Sequence, residues 1–344
     1  MESFVLKTLH LKSGKQVVGS ILLGDFILSG RESPVNLMAN FLNRDIVSIK
    51  DLTREDIGAV LDTSDLMEPL GRQGSELLHG RILATLFFEP STRTRLSFEA
   101  AMTRLGGASL GFAESAGTSV EKGENLADTV RVVESYADII VIRHPLEGSA
   151  RLAAEFSNIP VINAGSGAEE HPTQALLDLY TIRRELGRLN DITVGMMGDL
   201  RYGRTVHSLA YALSLFKTRL VLISPEALRM RREVLEDIGH RAHVKEVADL
   251  KPVLKELDVL YVTRIQKERF PDPAEYEKVR GSYRLQADDV RKLRKGSIVM
   301  HPLPRVDEVA YEVDQTPYAK YFKQAWYGML VRMSLLSLVL GGIK

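Results

Sequence analysis

Short apolar runs alternate with segments of helical spacing along most of the chain, beginning at Arg81. The apolar runs predict buried strands at residues 81–88, 138–143, 159–165, 191–200, 219–225, 257–264 and 296–304. Between them, apolar side chains recur every three or four positions, which is typical of helices at 96–106, 124–137, 147–157, 173–186, 203–216 and 227–239. Alternation of continuous apolar strands with helices predicts parallel sheets covered on both faces. The number of strands exceeds one ordinary sheet, so we predict an α/β fold with two doubly wound parallel-sheet domains.

The two ends of the chain depart from this alternation. Residues 1–42 carry β-type runs separated by glycines, without intervening helices, and predict a short N-terminal β-type extension. The C-terminal stretch 329–343 is the most apolar of the chain, but Arg332 interrupts it and it is too short to span a bilayer. We therefore expect a buried C-terminal helix.

Composition narrows the function classes. The chain has 344 residues, with 45 lysines and arginines against 45 aspartates and glutamates, so bulk charge favours neither a nucleic-acid nor a membrane partner. There is no cysteine, which excludes disulfides, thiolate metal sites and a cysteine nucleophile. The first residues contain no apolar signal segment, and we expect a soluble cytoplasmic protein.

Candidate chemistry lies where the predicted strands end. Ligands of parallel sheets bind beyond the carboxyl ends of the strands, and arginine or histidine follows nearly every strand here. In "EPSTRTR" a helix start meets Ser91, Thr92, Arg93 and Thr94, and unpaired backbone N–H groups, hydroxyls and a guanidinium together suit a phosphate. An ordinary N-cap with solvated arginines is the alternative for this segment alone.

The other strand ends carry "RHP", "HPTQ", "YGRT", "RIQKER" and "HPLPR". Taken singly, each has an ordinary explanation: a helix cap, a surface arginine, a solvated charge run or a rigid turn made by two prolines. Their convergence on one edge of the sheets favours a ligand site.

The set STRTR, HPTQ, GRT, RxQxER and HPLPR, in this order and spacing, resembles the aspartate carbamoyltransferase family over residues 43–344. The resemblance implies that carbamoyl phosphate and L-aspartate give N-carbamoyl-L-aspartate and phosphate, a step of pyrimidine biosynthesis, without a metal or other cofactor. It also implies a homotrimer with shared active sites, and it leaves open whether regulatory chains or other pyrimidine enzymes bind.

The resemblance divides the chain after the extension 1–42. It implies a carbamoyl-phosphate-binding domain at 43–172, completed by the C-terminal helix 328–344, and an aspartate-binding domain at 173–327.

The resemblance also assigns roles to individual residues. The catalytic set is Arg93, Thr94, Arg143 and His171, of which the last three would hydrogen-bond the carbonyl oxygen. Carbamoyl phosphate would be held by Ser91, Thr92, Arg93, Thr94, Arg143, His171, Gln174, Pro302, Leu303 and Pro304, with Gln174 and the backbone at Pro302 and Leu303 on the carbamoyl amine. Aspartate would be bound by Lys122, Arg204, Arg264 and Gln266. Ser119 and Lys122 would enter the neighbouring subunit's site, and Glu89 would bridge to Arg204 and Arg269 on domain closure.

Two other functions compete with this prediction. Ornithine carbamoyltransferase shares the phosphate loop and the HPTQ-type motif, but that family carries a cysteine where this chain has "HPLPR" and an SMG-type loop where it has "RIQKER". A non-catalytic scaffold paralogue would be expected to lose phosphate-loop residues, and here Arg93, Thr94 and Arg143 are present. Aspartate carbamoyl transfer is therefore the favoured prediction.

Overall fold

The computed structural model describes residues 40–114, 118–267, 270 and 272–343. Of the predicted N-terminal extension, residues 1–39 lie outside the described residues. Within the described residues, no helix has the length and apolar character that crossing a membrane requires.

Two parallel sheets form the framework, as the alternating pattern predicts. The first sheet has the strand order β2-β1-β3-β4, and the second has the order β7-β6-β5-β8-β9. Their bounds are β1 Ile82–Phe87, β2 Ala108–Phe112, β3 Ile139–His144, β4 Val161–Ser166, β5 Ile192–Met197, β6 Thr218–Ile223, β7 His243–Val247, β8 Val259–Val262 and β9 Ile298–Met300. Every pairing within both sheets is parallel, so all strands of a sheet end at the same edge.

Helices cover the faces of the sheets and connect the strands. Their bounds are α1 Arg54–Gln73, α2 Thr92–Arg104, α3 Leu126–Val133, α4 Ser149–Phe156, α5 Pro172–Leu186, α6 Arg204–Ser214, α7 Arg232–Gly239, α8 Pro273–Val279, α9 Ala287–Val290 and α10 Tyr321–Val339. Helix α2 begins at Thr92 rather than at residue 96, and α10 begins at Tyr321 rather than at residue 328. The hydroxyl-rich STRTR segment is therefore already part of a helix.

One apolar core joins the two sheets. It contains Leu83 of β1, Met196 of β5, Leu176 of α5 and Leu335 of α10, all of which are less than 1% exposed. Helix α10 packs against α1, α2 and α5, and nearly all of its length is buried, which explains its apolar sequence. The carboxyl ends of the strands are thus held in fixed positions around a common cleft.

Candidate active site

A cleft of about 640 Å³ opens at the carboxyl ends of the strands, between the two sheets. Most of the residues predicted from the sequence line it: Glu89, Ser91, Thr92, Arg93, Thr94, Arg143, His171, Gln174, Arg204, Arg264, Gln266, Pro302, Leu303 and Pro304. Five motifs that are far apart in the chain therefore meet in one place.

The N-terminus of α2 faces the cleft. Ser91 is its N-cap residue, and the Ser91 side chain makes no capping hydrogen bond, so the first backbone N–H groups are not satisfied from within the helix. Arg93 follows in the first turn, and its side chain has neither an ion pair nor a hydrogen bond within the described part of the chain. Partial desolvation lowers the pKa of the Arg93 guanidinium, and the guanidinium of Arg264 lowers it further. Two cations from different sheets thus approach each other, an arrangement that an anion stabilises.

Glu89 joins the two sides of the cleft. Its Oε1 accepts hydrogen bonds from Arg143 Nη2 at 3.1 Å and from Arg204 Nη2 at 3.2 Å, and its Oε2 accepts one from Arg204 Nη1 at 3.1 Å. Both arginine side chains are largely buried. Gly165, at φ 119°, lets them approach, because a Cβ there would stand 3.0 Å from Arg204 Cζ and 3.2 Å from Arg143 Nη1. The ion pair between Glu89 and Arg204 is present, whereas Arg269 lies outside the described residues.

His171 lies immediately before α5, whose first residue is Pro172. The backbone N–H of His171 donates to Ser208 Oγ at 2.9 Å, which fixes the start of the helix. Burial holds the pKa of the imidazole well below its usual range, and the positive charges of Arg204, Arg143 and Arg332 add to this effect. His171 is therefore a neutral hydrogen-bonding group rather than a cation.

We expect the His171 imidazole not to titrate between pH 6 and 8. The folded-state pKa lies below that of the unfolded chain, so the unfolded chain takes up the proton more readily. The free energy of unfolding should therefore decrease as the pH falls below about 6.5. The measurement is the pH dependence of the ring NMR signals, assigned with a His171→Asn variant. A midpoint between pH 6 and 8 would contradict the neutral state.

The loop after β8 and the loop after β5 are connected beneath the cleft. Asp199 Oδ2 accepts a hydrogen bond from the backbone of Gln266 at 3.3 Å, and Asp199 Oδ1 accepts one from the backbone of Tyr202 at 2.9 Å. The side-chain oxygen of Gln266 is buried and accepts no hydrogen bond from the described residues. A buried polar atom of this kind is satisfied by a ligand or by water, which fits the position of Gln266 in the cleft wall.

Two predicted residues do not reach this cleft. Ser119 and Lys122 lie in a short 3-10 helix, Ser119–Lys122, where both are exposed, and neither belongs to the cleft lining of their own chain. Their expected role in a neighbouring subunit's site stays a prediction.

The cleft also contains residues that the sequence motifs do not include. Arg332 of α10 is 4% exposed and donates from Nη1 to Ser97 Oγ at 2.8 Å. Burial lowers the pKa of its guanidinium to about 10. His301 and Gln324 line the cleft as well. The sequence does mark Arg332 as unusual, because it lies inside the most apolar helix and a charge is rarely buried there without a specific partner.

The sequence matches two family models over nearly all of its described length. Residues 44–184 match the "Aspartate/ornithine carbamoyltransferase, carbamoyl-P binding domain", and residues 190–339 match the "Aspartate/ornithine carbamoyltransferase, Asp/Orn binding domain".

Curated relatives support the aspartate branch of this family. The chain is 57% identical over 304 residues to the aspartate carbamoyltransferase catalytic subunit of Thermococcus onnurineus, with 88% of this chain and 98% of the relative covered. It is 56% identical over 310 residues to the corresponding subunit of Methanopyrus kandleri, with 89% and 100% covered.

Solved structures agree with these sequence matches. Aspartate transcarbamoylase from Trypanosoma cruzi in complex with carbamoyl phosphate and aspartate aligns with a TM-score of 0.85 at 41% identity, covering 88% of this chain and 98% of that one. The catalytic subunit of the M. jannaschii enzyme aligns with a TM-score of 0.79 at 54% identity, covering 86% and 97%.

Proposed function

The chain belongs to the aspartate/ornithine carbamoyltransferase family, and we propose that its cleft transfers the carbamoyl group of carbamoyl phosphate to the α-amine of L-aspartate. The products are N-carbamoyl-L-aspartate and phosphate. The observation that carries this proposal is the meeting of the α2 N-terminus and Arg93 from one sheet with Arg264 and Gln266 from the other. The α2 N-terminus with Arg93 suits a phosphate, and Arg264 with Gln266 suits a carboxylate. The cleft therefore fits both substrates at once.

The N-terminus of α2 is the phosphate site in this proposal. Its unsatisfied N–H groups, the hydroxyls of Ser91, Thr92 and Thr94, and the guanidinium of Arg93 are the donors that a phosphate accepts. Arg93 supplies the positive charge, and its planar fork can bind two phosphate oxygens together.

The carbamoyl group lies next to the phosphate, beside Thr94, Arg143 and His171. Attack by the amine places negative charge on the carbonyl oxygen, and donors fixed around that oxygen stabilise it. Loss of one such donor typically costs about 3 to 4 kcal/mol of barrier height. His171 is neutral and buried, so it can donate without bringing another positive charge beside Arg143 and Arg204. The wall beside the amine consists of Gln174, Pro304 and the backbone at Pro302 and Leu303.

L-Aspartate occupies the side of the cleft made by Arg204, Arg264 and Gln266. Each carboxylate can accept paired hydrogen bonds from a guanidinium. Arg204 already shares the carboxylate of Glu89 with Arg143, so Glu89 orients both guanidiniums towards the cleft. The departing phosphate is itself a suitable acceptor for the proton of the attacking amine, since no side chain among the described cleft residues stands out as a general base.

The aspartate-specific relatives favour aspartate over ornithine as the second substrate. The chain also lacks the cysteine of the ornithine enzymes, and Arg264 and Gln266 suit a carboxylate. The direct test is a turnover assay with carbamoyl phosphate and either L-aspartate or L-ornithine. Product from ornithine alone would overturn the assignment, and no product from either substrate would favour the scaffold function.

We also propose that the chain works as a homotrimer with shared sites. Strand β2 is the exposed edge of the first sheet, and Leu110 on it is 37% exposed. An exposed edge strand presents unpaired backbone groups with which another chain can pair. The loop with Ser119 and Lys122 follows this strand in the sequence, and both residues are exposed. Regulatory chains, other pyrimidine enzymes, a place in pyrimidine biosynthesis and a cytoplasmic location stay predictions of the family resemblance.

The domain division is proposed on the same basis. The strands of the first sheet lie within residues 43–172 and those of the second within 173–327, and α10 packs on α1 and α2 as well as on α5. The contacts of α10 with α1 and α2 support the proposal that residues 328–344 complete the carbamoyl-phosphate side.

We expect Arg264→Ala to damage aspartate use far more than carbamoyl phosphate binding. Hydrogen bonds to charged groups contribute roughly 1.5 to 3 kcal/mol, so the KM for aspartate should rise about 10- to 100-fold. Calorimetry with carbamoyl phosphate alone should give a Kd close to that of the parent protein. The matched control is Arg229→Ala. Arg229 is exposed, follows β6 of the same sheet and does not line the cleft. Equal weakening of both substrates would remove Arg264 from the aspartate side.

A further inference from the structure

One buried carboxylate lies behind the wall of the cleft. Asp178 of α5 is 0% exposed and is not among the residues that line the cleft. Its Oδ1 accepts a hydrogen bond from Gln174 Nε2 at 2.9 Å and another from Gln324 Nε2 at 2.6 Å. The same oxygen therefore holds two amide side chains that come from different helices.

The first of these contacts sets the orientation of Gln174. An ionised carboxylate accepts hydrogen bonds and donates none, so the amide nitrogen of Gln174 must face Asp178. The amide oxygen then points away from Asp178, and we infer that it faces the cleft, which Gln174 lines. An oxygen in that position accepts hydrogen bonds from an amine, whereas a reversed amide would present N–H groups to it.

The second contact reaches the loop that follows β9. Because the nitrogen of Gln324 faces Asp178, its oxygen is free to accept the backbone N–H of His301, at 3.1 Å. His301 Nδ1 in turn accepts the backbone N–H of Leu303 at 2.8 Å, and its Nε2 lies 2.7 Å from Glu308 Oε1. A continuous chain of hydrogen bonds thus runs from Asp178 to the backbone at Leu303.

The surroundings of Asp178 are consistent with an ionised carboxylate above neutral pH. Burial raises the pKa of Asp178 to about 7, while Tyr261, Gln324, Gln174 and the positive charge of Arg332 limit the rise. Helix α10 supplies both Gln324 and Arg332 to this cluster. At pH 8 the carboxylate is therefore an acceptor for both amides.

We propose that Asp178 is a positioning residue that orients both groups of acceptors for the carbamoyl amine, the Gln174 oxygen and the backbone of the 301–304 loop. It thereby selects an acyl phosphate that carries –NH2 over one that carries –CH3. This inference rests on the proposed function, since it assumes that the amine lies against Gln174 and Leu303.

The test compares two ligands that differ only in that group. Carbamoyl phosphate and acetyl phosphate have the same phosphate and carbonyl, and only the first has N–H donors. Calorimetry at pH 8 gives the ratio of their affinities for the parent protein and for Asp178→Asn. Asparagine has the same shape but can donate, so Gln174 and Gln324 are no longer held in one orientation. We expect the ratio to fall roughly tenfold, which corresponds to about one hydrogen bond.

Two further variants separate positioning from general stability. Glu185→Gln is the matched control, because Glu185 also lies on α5 and accepts hydrogen bonds from Lys323 and Tyr327 of α10, but it lies outside the cleft lining. It should leave the affinity ratio unchanged. Gln324→Met removes the hydrogen bonds of Gln324 with Asp178 and His301 but keeps the one between Gln174 and Asp178. It should therefore lower the ratio less than Asp178→Asn does. It also serves as the second test if Asp178→Asn does not fold.

The outcomes are distinguishable from those of the main proposal. A folded Asp178→Asn protein with the parental ratio, or with equal loss of both ligands, overturns the positioning role. If Asp178→Asn does not fold, an unchanged ratio in Gln324→Met overturns it. Failure of the parent protein to turn over L-aspartate refutes the proposed function instead, since the binding ratio of the two acyl phosphates does not depend on the second substrate.

Discussion

Arg93→Ala should lower kcat/KM by about 10³-fold or more while leaving the fold intact, because it removes the guanidinium at the α2 N-terminus. No described side chain is paired with Arg93, so truncation leaves no orphaned partner and should cost little stability. The phosphate would retain the backbone N–H groups and hydroxyls of α2. It would lose the cation that offsets its charge in both the ground state and the transition state.

The measurement for Arg93→Ala is steady-state kinetics with both substrates, combined with circular dichroism and thermal unfolding. Arg95→Ala is the matched control: Arg95 lies on the same helix, outside the cleft lining, with its Nε 2.7 Å from Glu99 Oε1. It should retain nearly full activity. Arg93→Lys keeps the charge but not the planar fork, and it should fall between the two. A near-normal rate in folded Arg93→Ala protein would exclude Arg93 from the chemistry.

The buried strands and the long helices were predictable because their side chains have to match the core. Strands β1 and β5 are apolar in nearly every position and β3 is apolar in its first four, so the sequence displays them as continuous runs. Strands β2 and β7 were not predicted, and both are edge strands that are exposed along most of their length. An edge strand needs no continuous apolar run, so its sequence resembles that of a loop.

Helix α1 was also not predicted, although its sequence carries a start signal. Thr53 and Asp56 form a capping box, in which Thr53 Oγ1 accepts from the backbone of Asp56 at 3.1 Å and Asp56 Oδ2 accepts from the backbone of Thr53 at 2.9 Å. A threonine followed three positions later by an acidic residue is a recognisable version of this motif. The helix start was therefore readable from the sequence.

The residues in and behind the cleft also fall into two groups, those that the sequence predicts and those that it does not. Residues that follow strands, such as Arg93, His171 and Arg264, could be gathered by the rule that ligands bind at the carboxyl ends of parallel strands. Asp178 and Gln324 could not, because they lie inside helices and act through contacts between helices that are far apart in the chain. Periodicity places such residues on a buried face, but it does not reveal which polar groups meet there.

The second large effect concerns Lys122. If its ammonium group completes the site of a neighbouring subunit, Lys122→Ala should be nearly inactive although the residue does not line the cleft of its own chain. Lys122 is exposed in the 3-10 helix Ser119–Lys122, beyond the exposed edge strand β2. A charged side chain in that position has no internal role to lose. A severe loss of activity without loss of stability would therefore point to a partner's site.

Mixed trimers give the decisive measurement. Lys122→Ala and Arg93→Ala proteins are mixed, dissociated and reassembled, and native mass spectrometry confirms the hybrids. A site is intact when Arg93 comes from a Lys122→Ala chain and Lys122 comes from an Arg93→Ala neighbour. With equal mixing in a cyclic trimer, about a quarter of the sites should be intact, so roughly that share of parental activity should return. The matched control mixes Arg93→Ala with Arg264→Ala, two changes within one chain's cleft, and it should give no more activity than the average of its two parents. Confirmed hybrids of the first pair that stay as inactive as their parents would place Lys122 outside the shared site.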